Sequence, residues 1–372
     1  MIYLDNAATT FPKPKNVIHE TLDCIKKYCA NSGRSSHNLA IRTTEEIYRT
    51  REAISDFLST DAPENVCFTT NATYALNIAI KTFITSPCHV LISDIEHNSV
   101  LRPINKLKET LGIEYSYFST DGDIEQNIKT QIKDNTRAII CNIMSNVSGY
   151  EISLKILSEI SRSYNLILIV DASQMIGHKK INLRENPCDA LCAPGHKGLF
   201  GIQGCGFVVF NSKIPKETLI EGGSGNESLR LNMPVSLPEH FEAGTLPTPS
   251  IVALRAGIDY INRIGLESIE NKTKILTKLF LERITSIKNV ESFYANNGII
   301  SFSIKGKSSS YISNRLNDFD IYTRSGLHCA PLAHKKLGTL DSGLVRISLS
   351  YMTKESYADQ FYVALQSICR NI

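Results

Sequence analysis

Five branched apolar residues in a row, Leu-Ile-Leu-Ile-Val at 166–170, run straight into Asp171. A strand with one wet face alternates polar and apolar positions. A continuous apolar run of strand length belongs instead to a strand covered on both faces, as in a parallel sheet packed between helices. The neighbouring sequence repeats this pattern. Strand-like runs fall at 66–69, 89–93, 137–141, 189–192 and 205–210, with helical patterns at 74–83 and 153–164. Strands alternating with helices predict an α/β fold with a mainly parallel sheet. A long irregular stretch follows, including Gly222-Gly-Ser-Gly225 and a Pro-rich segment at 234–249, and a long helix begins over 251–264. After Gly298 the pattern restarts with strand 299–304, helix 311–316, strand 344–350 and a terminal helix over 354–367. That tail reads as a small second α+β domain.

Composition narrows the function. The 372 residues are 42% hydrophobic and 21% charged, ample for a large core. The 40 basic and 37 acidic residues are dispersed, so nucleic-acid binding has no compositional support. Met1 to Asn6 lacks the basic and apolar regions of a signal peptide, and no apolar run could span a bilayer. The expectation is a soluble, cytoplasmic protein with no membrane partner. None of the ten cysteines forms a Cys-x-x-Cys pair, so no metal site is expected. Cys67, Cys141 and Cys205 lie in apolar runs and read as reduced, buried small residues.

Open parallel sheets bind ligands beyond the carboxyl ends of their strands, and five polar segments fall there. Thr69-Thr-Asn-Ala-Thr73 opens a helix, where free amides suit a phosphate or a threonine merely caps. His97 follows one strand and Asn146 another; either could serve a site or simply a turn. Asp171 ends the most apolar strand, where a carboxylate needs a partner such as a protonated pyridine nitrogen; magnesium is the competing partner. His196-Lys197 sits in a Gly-flanked turn, where a lysine can be an exposed loop residue or a Schiff-base amine with a lowered pKa. The 26 positions from Asp171 to Lys197 fit one strand-to-strand crossover. A dinucleotide site is disfavoured: Gly201-Ile-Gln-Gly204-Cys-Gly206 precedes a strand instead of opening a helix.

Taken in order, nine segments resemble a known family: Tyr3-Leu-Asp-Asn-Ala-Ala-Thr-Thr10, Thr70-Asn-Ala-Thr73, Glu96-His97-Asn98, Ser145-Asn146, Val170-Asp-Ala-Ser-Gln174, Gly195-His-Lys197, Phe241-Glu-Ala-Gly-Thr245, Arg324-Ser-Gly-Leu-His-Cys329 and Val345-Arg346-Ile-Ser. The chain resembles the class V aminotransferases of pyridoxal phosphate fold type I. Within them it is similar to the cysteine desulfurases and selenocysteine lyases, above all the type II desulfurase pattern. The resemblance implies pyridoxal 5′-phosphate as cofactor. It also implies a large domain (16–255) with a mainly parallel seven-stranded sheet between helices, and a small domain made of 1–15 and 256–372.

The resemblance also implies roles. Lys197 would anchor the cofactor as a Schiff base and remove the Cα proton. Asp171 would pair with the pyridine nitrogen, Gln174 and Asn146 with the ring hydroxyl. His97 would stack on the ring. Ala72, Thr73 and His196 would hold the phosphate, joined by Thr245 from a second subunit of a homodimer. Arg346, with Arg324 and Asn6, would bind the substrate carboxylate. Cys329 would take the sulfur, and its neighbours His328 and Arg324 favour a reactive thiol over a buried small residue. The sequence departs from the pattern at Leu327, where a histidine is expected, and at Gly195, where many relatives carry serine. The implied reaction is conversion of L-cysteine to L-alanine with sulfur held as a persulfide, passed on to a sulfur-acceptor protein. Selenocysteine lyase, transamination or β-lyase chemistry, and a sulfur-relay scaffold are the alternatives.

Overall fold

The computed structural model describes residues 1–33, 35–211 and 214–370. The strands in chain order are β1 (Ile2–Tyr3), β2 (Val66–Thr69), β3 (His89–Ser93), β4 (Glu114–Phe118), β5 (Thr136–Asn142), β6 (Ile167–Asp171), β7 (Ala190–Pro194), β8 (Gly206–Phe210), β9 (Val290–Asn296), β10 (Ile299–Ile304), β11 (Ile321–Tyr322), β12 (Arg324–Gly326) and β13 (Leu344–Ser348). The α-helices are α1 (Lys15–Lys27), α2 (Asn38–Leu58), α3 (Ala72–Phe83), α4 (Asn98–Leu111), α5 (Ile124–Lys129), α6 (Leu154–Ser163), α7 (Thr248–Ile264), α8 (Leu266–Thr285), α9 (Ser309–Asn317), α10 (Pro331–Lys336) and α11 (Ser356–Arg370). No helix among the described residues is long and apolar enough to cross a membrane.

Seven strands form one sheet in the order β2-β8-β7-β6-β5-β3-β4. The sheet is mixed: β3, β4, β5, β6 and β7 run parallel, while β8 is antiparallel to both β7 and β2. The link from β7 to β8 is too short for a covering helix, so the chain reverses instead of crossing over. That link carries His196 and Lys197.

Successive strand residues feed two cores. Ile139 and Cys141 of β5 pack on one face with Leu168, Val170 and the helix residues Ile54 and Ile258. Ala138 and Ile140 pack on the other with Ile169, Leu76 and Ile104. Both faces are therefore dry, as the continuous apolar runs predict.

A second, antiparallel sheet has the order β12-β13-β10-β9, and β1 pairs with β11. Its core joins Ile2 and Leu4 to Phe280, Phe302 and Phe361. The N-terminal segment thus packs with the C-terminal third of the chain. The expected division between residues 255 and 256 falls inside α7, whose Ile258 and Ile261 belong to the main core. The helix instead ends at Gly265, whose φ of 87° permits a sharp change of direction into α8.

Candidate active site

The site forms where β2, β3, β5, β6 and β7 end. Asn71, not a threonine, caps α3: its Oδ1 accepts from Tyr74 N at 3.1 Å. Ala72 and Thr73 follow in the first turn, where backbone amides have no partner inside the helix. His97 caps α4, its Nδ1 accepting from Ser99 N at 3.1 Å, which leaves its neutral-state proton on Nε2. Asp171 closes β6, buried, with Oδ1 accepting from Ser173 N at 2.9 Å. Ala72, Thr73, His97, Asn146, Asp171, Gln174, His196 and Lys197 all line one cavity of about 470 Å³, counting its open mouth. Eight residues spread over 126 positions of sequence thus converge.

The turn bearing Lys197 is strapped by the N-terminal segment. The His196 carbonyl accepts from Thr10 N at 3.1 Å and Lys13 Nζ at 3.0 Å, and the Lys197 carbonyl from Thr10 Oγ1 at 3.1 Å. Gln174 donates to the Ala7 carbonyl at 3.0 Å. Burial pushes the Lys197 amine down to about 8; Arg346 and Arg324 act the same way, and Asp171 opposes them. Burial also pushes His97 and His196 down to about 4, so both rings are neutral near pH 7.

These residues fit pyridoxal phosphate. Asn146 Oδ1 and His196 Nδ1 are buried with no hydrogen-bond partner, although such groups are almost always satisfied. They share the cavity with a buried carboxylate, an amine of lowered pKa and free amides at a helix start. A ligand with a ring hydroxyl, a cationic ring nitrogen, an aldehyde and a phosphate satisfies all of them.

The arginines lie on the second sheet. Arg324 and Arg346 face each other directly across β12 and β13, an unfavourable pairing of like charges. Arg346 is buried, with Nη2 on Asp5 at 2.6 Å and Nη1 on the Asn146 carbonyl at 3.0 Å. Asp5 thus pairs with Arg346, while the Arg324 guanidinium faces the Cys329 sulfur and Arg346 Nε has no hydrogen-bond partner. A substrate carboxylate would balance the two arginines. Asn6 is placed differently: its amide donates to the Ser348 carbonyl at 2.8 Å and accepts from Phe11 N at 3.3 Å, so it braces backbone and does not line the cavity.

Cys329 is exposed and opens into a cleft with Thr73, His97, Ser99 and Arg102. Thr73, His97 and Ser99 also line the Lys197 cavity, so the two spaces share a wall. Arg324 Nη2 lies 3.8 Å from the Cys329 sulfur. The Cys329 carbonyl accepts from Asn98 N at 2.7 Å and the His328 carbonyl from Asn146 Nδ2 at 2.8 Å. Leu327 is exposed. Cys67, Cys141 and Cys205 are fully buried, with thiol pKa values raised by burial.

Thr245 lies apart, in a groove with Arg51, Glu242 and Ser32. At Gly195, a Cβ would sit 3.2 Å from the Cys205 carbonyl and 3.4 Å from Leu254, so glycine suits this tight spot. Two site features escape a reading of the sequence. Glu96 is fully buried behind His97, with Oε1 accepting from Asn142 N at 2.8 Å. Gly206 opens β8 against the start of α3, where a Cβ would lie 2.6 Å from the Asn71 carbonyl carbon. A buried carboxylic acid and a close backbone approach leave no periodic signal.

Comparisons place this geometry among known proteins. The model of the class-V aminotransferase family matches residues 2–361. A probable cysteine desulfurase of Borreliella burgdorferi is 30% identical, with 100% of this chain and 92% of that protein covered. A probable cysteine desulfurase of Methanothermobacter thermautotrophicus is 31% identical, with 94% and 90% covered. The solved cysteine desulfurase of Thermococcus onnurineus superposes with a TM-score of 0.90 at 27% identity, covering 100% of this chain and 95% of that one. With the strand-end lysine and aspartate in place and a family match over nearly its whole length, this chain belongs to the class-V aminotransferase family.

Proposed function

We propose that this chain is a pyridoxal 5′-phosphate-dependent cysteine desulfurase that converts L-cysteine to L-alanine and takes the sulfur onto Cys329. One observation carries the reading: the cavity of Lys197 and the cleft of the exposed Cys329 share the wall formed by Thr73, His97 and Ser99. An amine site alone suits many reactions of amino acids. A thiol within reach of the same substrate selects sulfur transfer.

Lys197 holds the cofactor covalently, Asp171 binds its ring nitrogen, and Asn146 with Gln174 meets its ring hydroxyl. Ala72, Thr73 and His196 hold its phosphate. When bound, the cofactor withdraws the electrons left on Cα and so loosens the bond from Cβ to sulfur. Lys197, with its lowered pKa, serves as base for the Cα proton and then as acid. Arg346, with Arg324 beside it, binds the substrate carboxylate bidentately. The neutral His97 packs over the ring and can pass protons from Nε2. The Cys329 thiolate attacks the substrate sulfur; the S–S bond forms as the Cβ–S bond breaks, and Cβ takes up a proton. L-Cysteine plus the Cys329 thiol gives L-alanine plus a Cys329 persulfide, with no other reactant. Turnover then requires an acceptor for that sulfur.

The exposed Thr245, remote from its own chain's cavity, supports a homodimer in which it serves the partner's phosphate. The test is alanine formation from L-cysteine, with reductant present, for wild type, Lys197→Ala and Cys329→Ala. Lys197→Ala should lose the Schiff-base absorbance and all turnover. Cys329→Ala should keep the absorbance and lose roughly a hundredfold or more in rate, since an attacking nucleophile is removed. Full activity in Cys329→Ala would sink the nucleophile role, and retention of turnover with selenocysteine alone would favour a selenocysteine lyase.

A further inference from the structure

Two buried histidines stand behind the Cys329 loop, and none of their ring hydrogen bonds among the described residues goes to a carboxylate. His328 is 3% and His334 0% exposed, and their rings stack with centroids 5.4 Å apart. All four ring nitrogens are engaged. His328 Nε2 meets the Arg324 carbonyl at 3.3 Å, His328 Nδ1 meets His334 Nε2 at 3.2 Å, and His334 Nδ1 meets Thr339 Oγ1 at 2.9 Å.

The carbonyl at one end sets every direction. A carbonyl only accepts, so His328 Nε2 carries its proton. A neutral His328 then has a bare Nδ1, which must accept, so His334 Nε2 donates. His334 Nδ1 is then bare as well, and the single proton of the Thr339 hydroxyl goes to it at 2.9 Å rather than to the more distant His334 carbonyl at 3.5 Å. Burial holds both imidazoles below their ordinary pKa, which keeps them neutral and the sequence of donors intact. Thr339 is itself fixed, its N–H donating to the His334 carbonyl at 2.9 Å.

The far end of this chain is the backbone of Arg324, whose guanidinium lies 3.8 Å from the Cys329 sulfur. Between them His328 and Cys329 both hold left-handed backbone, with φ of 51° and 56°. Each such residue is strained and persists only when its surroundings impose it. Asn146 and Asn98 clamp the two carbonyls, and the histidine pair clamps the ring between them.

We propose that Thr339, His334 and His328 form a one-directional hydrogen-bond relay that holds Arg324 and Cys329 in register, with His334 as a positioning residue for the sulfur-accepting step. The step it serves rests on the function proposed above; the relay itself does not. It acts through Arg324 and Cys329 and touches neither Lys197 nor Asp171, so with amino acid at saturation, where the part of Arg324 in binding its carboxylate no longer limits the rate, removal of the Cα proton by Lys197 does not depend on it.

Two measurements test this. In wild type labelled with ¹⁵N-histidine, long-range ¹H–¹⁵N spectra should show His328 and His334 both protonated on Nε2, with assignment from the missing signals of His334→Gln. Protonation of His334 on Nδ1 would overturn the relay whether or not the enzyme desulfurates cysteine. In rapid-quench assays, His334→Leu and Thr339→Val should slow formation of the Cys329 persulfide roughly ten- to a hundredfold. Exchange of the Cα proton in D₂O at saturating L-alanine should stay within about twofold of wild type, and His334→Gln, which keeps a donor for His328, should recover part of the loss. An unchanged persulfide rate in both variants, or equal losses in both steps, would overturn the positioning role. A wild type that makes no alanine from cysteine would refute the proposed function and leave the tautomer result to stand or fall alone.

Discussion

Glu96 is a carboxyl group buried at the end of β3, next to the cofactor-stacking candidate His97. Burial pushes Glu96 up to about 8, and the nearby Asp171 charge adds to the rise. Glu96 is therefore protonated at neutral pH. It braces the end of β3 against β5 through Ser93 and Asn142. Because the folded pKa lies above the unfolded value of 4.5, this group contributes most below about pH 4.5 and loses that contribution as pH rises through about 8. Glu96→Gln, which cannot ionise, should remove the loss. In urea titrations the variant should match wild type near pH 5 and exceed it at pH 8 by on the order of a few kcal/mol, at about 1.4 kcal/mol per pKa unit. A difference that does not grow with pH would mean that Glu96 titrates normally.

Among the elements, the contact of β8 with α3 decides how well the phosphate cradle is formed. A Cβ on Gly206 would lie 2.6 Å, 2.8 Å and 2.9 Å from three backbone atoms of Asn71 and Ala72, none of which can swing aside. Gly206→Ala should push the capped start of α3 outward and weaken binding of pyridoxal phosphate about tenfold or more, read by fluorescence titration, with the circular dichroism of the fold retained. Unchanged affinity would show that the cradle tolerates the shift. This contact also marks the limit of what is legible in the sequence. β6 is legible because both its faces are dry, so it appears as an unbroken apolar run, and Asp171 at its end is conspicuous by contrast. β4 is not: it is the sheet edge, only Phe118 of it is buried, and its residues carry no strand-like run. β9 is missed for the lack of any long apolar run, α1 because only Val17, Thr21 and Cys24 of it are buried, and α2 because Thr43, Glu46, Thr50, Arg51 and Ser55 interrupt its buried face. The convergence of Lys197, Asp171, Gln174, Asn146, His97 and Thr73 follows from strand ends that the alternation of β and α predicts. What Asn6 braces, why Gly195 lacks a side chain and how His334 backs His328 depend on packing between segments far apart in sequence.

At the scale of the whole molecule, the question is whether one chain makes a complete site. Its own cavity gathers the lysine, the aspartate and the amides of α3, while Thr245 stands exposed in a different groove, next to Gly244 at a φ of 92°. In the proposed homodimer each Thr245 completes the other subunit's cradle, and that arrangement has a consequence no single-chain site shares. Thr245→Ala homodimers should bind pyridoxal phosphate weakly, by roughly tenfold if one hydrogen bond to a charged group is lost. Lys197→Ala homodimers should not turn over at all. In a heterodimer of the two variants, the cavity with Lys197 belongs to the Thr245→Ala chain, but its threonine comes from the Lys197→Ala chain. That one site is then wild type in every residue, and the other lacks both groups. Mixed, co-purified dimers carrying two affinity tags should therefore recover one high-affinity, active site each, measured by cofactor titration and alanine release. If Thr245 served its own chain, the only site with a lysine would still lack its threonine, and mixing would restore nothing.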